Sequence, residues 1–157
     1  MVIVSERRER GNPWLSLGGL LRRVASGNDS GVNMISVFYV AAGGAIGSVL
    51  RYLTGKGAIA LFGHGFPYAT LLVNIGGSLA MGLLIGTLAK SATPHGPAHL
   101  FLAVGLLGGF TTFSTFSLDA VSLLQRGELL AMALYVLGSV VLSILALFAG
   151  LWLVRSF

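Results

Sequence analysis

Apolar residues run through this chain in long stretches separated by short polar or Gly- and Pro-rich segments. Four of the stretches, residues 35–53, 69–89, 100–118 and 129–154, are long enough to cross roughly 30 Å of hydrocarbon as α-helices. Their separators include Gly63-His64-Gly65-Phe66-Pro67 and Ser91-Ala92-Thr93-Pro94-His95-Gly96-Pro97, which end helices rather than continue them. The pattern predicts an all-α membrane protein with four transmembrane helices.

The third stretch breaks its own rule. From Gly105 to Ser117 it reads Gly-Leu-Leu-Gly-Gly-Phe-Thr-Thr-Phe-Ser-Thr-Phe-Ser, crowded with glycines and hydroxyl residues at membrane depth. Gly108-Gly109 and Thr111-Thr112 combine weak helix formers with hydroxyls that can bond their own backbone, so an interruption near mid-span is expected. A bilayer tolerates exposed backbone only beside protein or a water-filled pathway. Because the run carries no charge, it suits the holding of ions better than acid/base chemistry. A continuous helix with threonines bonded back to the preceding turn is the competing reading.

Composition agrees with the pattern. Of 157 residues, 55% are hydrophobic and 10% charged, and the mean hydropathy is +0.87, far from a soluble domain of this size. With no cysteine there is no thiol chemistry and no cysteine-based metal site. The net charge of +5 is no sign of nucleic-acid binding. Arg7, Arg8, Arg10, Arg22 and Arg23 lie in the first 33 residues and the other basic residues are scattered over loops and span ends.

Residues 1–33 are read as a disordered N-terminal extension and residues 34–157 as the membrane domain. Met34, directly before the first span, is an alternative start. Counted from Met34, Lys90 and Arg155 fall on one side of the membrane and Arg51, Lys56 and Arg126 on the other. That balance gives almost no positive-inside bias, so both orientations are expected. Counting the extension favours the N-terminus inside. Four short helices fill their own interior, which makes a dimer the natural way to enclose a path. Small residues four apart, as in Gly43 and Gly47, Gly44 and Ser48, and Gly82 and Gly86, suit close helix approach either within one subunit or between two.

Several residues could line a path. Phe113 and Phe116 are three apart, with Ser114 and Thr115 between them, and ring edges carry the partial positive charge that attracts an anion. Facing lipid or core is the ordinary alternative. Asn74 shares a face with Thr70 and Ser78, and its amide can donate to an anion, cap a helix gap or bond a neighbouring helix. Tyr135, Ser139 and Ser143 form a four-spaced hydroxyl file on the fourth span. Arg51, at the end of the first span, either snorkels to the interface or concentrates anions at a pore mouth. Asp119 and Glu128, the only acids after Met34, sit at predicted span ends, and His64, His95 and His99 have no metal-ligand spacing.

On these motifs the chain resembles the CrcB/Fluc fluoride channels. The matching segments are Gly43 to Tyr52, Thr70 to Ser78 and Gly108 to Phe116, in the right order and spacing between about Met34 and Val154. The resemblance implies an antiparallel, dual-topology homodimer in the lipid of the cell inner membrane, with two fluoride pathways along the subunit interface. It implies that Asn74 lies in the pore, that Phe113 and Phe116 form the aromatic box with the Ser114 and Thr115 hydroxyls between them, and that Tyr135, Ser139 and Ser143 are the polar track. Arg51 would line the vestibule. The backbone carbonyls of Gly108 and Thr111 would hold a structural sodium ion at the third-helix break. The expected function is passive export of fluoride from the cytoplasm, with no catalysis and no nucleic-acid partner. The alternative is a small dual-topology proton-coupled exporter, which needs an ionisable group inside the membrane; Asp119 is the candidate.

Overall fold

The computed structural model describes residues 33–91 and 96–156. The chain divides into two compact units, Met1–Val37 and Phe38–Phe157. Of the first, only its last residues are described, so the extension expected over 1–33 falls, apart from Asn33, outside the described residues. There Asn33 Oδ1 accepts from the Ser36 N–H at 2.6 Å and from Ser36 Oγ at 2.8 Å, closing the first turn of α1 as an N-cap does.

The described residues are helical and contain no strand. In chain order the elements are α1 (Met34–Phe62), α2 (Tyr68–Leu88), the π-wound α3 (His99–Leu107), the short α4 (Gly108–Phe110), α5 (Phe113–Gln125) and α6 (Leu129–Arg155). Four segments, Met34–Phe62, Tyr68–Leu88, His99–Gln125 and Leu129–Arg155, are long and apolar enough to cross a membrane. The expected spans two and four are matched almost to the residue at both ends. Spans one and three are longer than expected. The first runs on past Leu53 because Gly55 and Gly57 interrupt its apolar character without breaking its backbone, and 58–62 is apolar again. Two expectations change with it. Arg51 is not at the end of the first span and Lys56 is not in a loop; both lie well inside α1.

Turns follow residue chemistry. Gly63 and Gly127 close α1 and α5 with φ of 76° and 77°, the left-handed conformation that only glycine adopts freely. Arg126 braces both turns, donating to the Gly65 carbonyl at 3.0 Å and pairing with Glu128 at 3.1 Å. The glycine pattern belongs to packing inside the subunit. A methyl on Gly43 or Gly47 would collide with the backbone of Phe101 and Leu106, so α1 and α3 meet backbone to backbone. Gly82 and Gly150 do the same for α2 and α6, and a Cβ on Gly86 would press on Val154. For Gly43, Gly47, Gly82 and Gly86 these contacts are those of packing within one chain. Without side chains in the way, helices gain dispersion contacts that lipid cannot otherwise offer them.

Candidate functional site

The site is built on two residues that leave the helix. Thr111 (φ −76°, ψ 157°) and Thr112 (φ −152°, ψ 123°) are extended between α4 and α5. Their backbone groups need partners, and α2 supplies one side chain for the purpose. Asn74 Nδ2 donates to the Thr112 carbonyl at 3.0 Å, and Asn74 Oδ1 accepts from the Thr112 N–H at 2.9 Å. Of the three roles open to Asn74, capping a helix gap is the one its geometry fills; the amide keeps a second hydrogen. Thr112 is 8% exposed and caps α5, its Oγ1 accepting from the Thr115 N–H at 3.2 Å. The same oxygen lies 3.1 Å from Thr115 Oγ1 and 3.3 Å from Ser114 Oγ. Such a cap is worth about 1 kcal/mol, and here it also starts a helix at membrane depth.

A cavity of about 510 Å³ opens beside this segment. Asn74, Ser78, Gly108, Thr111, Thr112, Phe113, Phe116, Ser139 and Ser143 all line it, and among the described residues no titratable side chain does. The rings of Phe113 and Phe116 are 5.5 Å apart and inclined by 39°. Their settings differ sharply: Phe116 is 9% exposed, Phe113 78%. Ser114 and Thr115 are exposed on the same turn. On α6, Tyr135 and Ser139 are buried, and the oxygens of Ser139 and Ser143 have no hydrogen-bond partner among the described residues. Of the predicted pathway residues, Asn74, Phe113, Phe116, Ser139 and Ser143 therefore meet at one cavity, while Ser114 and Thr115 do not line it and Tyr135 stands behind Phe116 at a ring distance of 5.4 Å.

A second cavity, of about 640 Å³, shares Thr112 with the first and is lined by Arg51, Lys56 and His64 together with Ser48, Thr70 and Thr115. Arg51 reaches from α1 to the Thr111 carbonyl at 3.5 Å, so its position next to the extended pair replaces the span-end position expected of it. Lys56 lies over the Tyr52 ring at 5.9 Å, a cation–π distance. Cations and hydroxyls on one wall raise the local concentration of anions.

Two further residues are tied to the site that the sequence offered only weak signals for. Thr70 and Tyr135 both donate to Asp119 Oδ2, at 2.6 Å and 3.2 Å. Asp119 is inside α5 rather than at a span end. The signals were present: Thr70 is four residues from Asn74, and Asp119 is a lone acid among apolar neighbours. Thr112 was visible as part of a poor helix former but not as the residue that Asn74 holds.

The carbonyls at the extended pair fit a hard cation in kind. Because the Thr112 N–H goes to Asn74 and the Thr115 N–H to Thr112 Oγ1, the Gly108 and Thr111 carbonyls lose the donors a continuous helix would give them. Thr111 retains the long contact from Arg51. Two carbonyls make only part of a coordination shell. Among the described residues no group of three His, Asp or Glu could hold a metal instead.

The chain matches the family described as CrcB-like protein, Camphor Resistance (CrcB), over residues 38–151. It is 54% identical over 123 residues to a protein of Agrobacterium fabrum named fluoride-specific ion channel FluC, covering 78% of this chain and 98% of that one. Proteins of the same name from Sphingopyxis alaskensis and Chelativorans sp. are 53% and 52% identical over the same lengths.

Proposed function

Because the chain belongs to the CrcB family, we propose that it is a passive fluoride channel that lets fluoride leave the cytoplasm across the cell inner membrane. One observation carries the reading: an uncharged cavity at membrane depth gathers Asn74, the Phe113 and Phe116 rings and the unpartnered Ser139 and Ser143 hydroxyls. Hydroxyl protons and positive ring edges replace the water of a small anion without the cost of a buried cation. Arg51 holds anions at the entrance, and the free amide hydrogen of Asn74 donates to the ion in transit.

The working unit is an antiparallel homodimer of both insertions, with a pathway at each side of the interface. Support comes from the single chain itself, which leaves Phe113, Ser114 and Thr115 exposed where a second copy would cover them. The extended pair is the break in the third span, and the Gly108 and Thr111 carbonyls of two copies together complete a sodium shell. The proton-coupled exporter is not favoured, since the relatives are named channels. Purified protein in liposomes should release fluoride and retain chloride. Equal release of both, or of neither, would reject the reading.

A further inference from the structure

The second and fourth spans lie side by side and run the same way. Thr70 of α2 and Tyr135 of α6 meet on Asp119 at one end. At the other, Gly82 packs against the backbone of Leu147 and Gly150, and Gly86 against Val154. Between these ends each helix carries a polar side chain at every fourth residue, Thr70, Asn74 and Ser78 on α2 and Tyr135, Ser139 and Ser143 on α6. The shared register sets Asn74 at the level of Ser139 and Ser78 at the level of Ser143, and these four line the first cavity.

Ser78 is in an unusual state for a helical hydroxyl. Thr54, Thr87, Ser117 and Ser122 each bond back to the carbonyl four residues earlier, the ordinary way for such a group to be satisfied. The Ser78 hydroxyl has no partner among the described residues, and neither has Ser143 Oγ. Each therefore has a proton to give to something held between the helices. One turn further on the helices close: a Cβ on Gly82 would collide with the Leu147 carbonyl, which leaves no room for an ion. The level of Ser78 and Ser143 is thus the last polar one before the crevice shuts.

Resting on the fluoride-channel reading, we propose that Ser78 is a further fluoride-binding residue: its hydroxyl and that of Ser143, one from each wall, form a two-donor seat at the closed end of the first cavity. Hydrogen bonds to an ion are shorter and about twice as strong as those between neutral groups, so a bare anion gains more from this pair than water does. Met81 and Ile144 complete the lining at this level and offer an anion no donor. The loss of one hydroxyl is therefore not made good by a neighbour.

The test is the dependence of fluoride flux on fluoride concentration in liposomes holding the full chain. Ser78→Ala deletes one donor and should raise the half-saturating concentration by about tenfold, the weight of one hydrogen bond to a charged group. Alanine suits a helix interior, so the melting temperature should not fall. Ser78→Thr restores the hydroxyl and should stay close to wild type. Thr87→Val removes a hydroxyl of α2 that is already bonded to the Leu83 carbonyl, and should leave flux unchanged. An unchanged half-saturating concentration in Ser78→Ala, or a loss confined to the maximal rate, overturns the proposal, as does an equal rise in Ser78→Thr. Wild-type liposomes without fluoride flux would instead overturn the channel reading itself.

Discussion

Asn74 spends both ends of its amide on one residue, and this has a consequence at the residue scale. Replacing it by Asp leaves the volume almost unchanged, keeps an acceptor for the Thr112 N–H, and sets a carboxylate oxygen against the Thr112 carbonyl in place of the N–H donor. A part-buried pair of acceptors costs about 3 kcal/mol relative to the hydrogen bond it replaces. Asn74→Asp should therefore lower the melting temperature of the detergent-purified protein as well as abolish fluoride flux. If flux is lost with melting unchanged, the amide serves the ion alone; if flux is normal, its part in conduction is disproved. The sequence placed Asn74 on a polar face and left its role open, because a helical register says which residues share a side and nothing about what stands opposite.

At the scale of elements, the helix contacts rest on missing side chains. Gly47 is buried against α3 and α4, where a Cβ would lie 2.9 Å from the Phe110 nitrogen, whereas Gly57 in the same helix has open space around it. Gly47→Ala should lower the melting temperature markedly, since backbone cannot move aside as a flexible side chain does; overpacking of this kind costs about 1–3 kcal/mol. Gly57→Ala should be neutral or slightly stabilising, as alanine is the better helix former by roughly 1 kcal/mol. Equal effects from the two would mean that α1 does not approach α3 so closely. The four-residue spacing of small residues was legible in the sequence. Which partner each one met was not, because the same spacing serves an internal and an external contact.

For the molecule as a whole, the subunit leaves large apolar side chains such as Phe113 and Phe148 on its surface, as befits a chain with lipid or another copy around it. The sodium shell proposed at Gly108 and Thr111 needs carbonyls from two copies. Sodium should then raise the melting temperature of the purified protein above that in a large organic cation at equal ionic strength. Identical melting in the two salts would remove the cation from the account.

By itself the sequence determined that this chain crosses a membrane with four helices, because length and hydropathy are sums over neighbours along the chain and need no knowledge of contacts. It also singled out Asn74, Phe113, Phe116, Ser139 and Ser143, which the first cavity brings together, since residue type at fixed spacing reports which groups can share a face. Only the tertiary structure decided that Arg51 and Lys56 lie inside α1, that Asn74 holds Thr112, and that Asp119 ties Thr70 to Tyr135. The last two pair elements distant in the chain. The physical reason is that a polar group inside a membrane must find a partner, and the one it finds is set by which helix backbones can approach, here through glycines whose own partners the sequence left open.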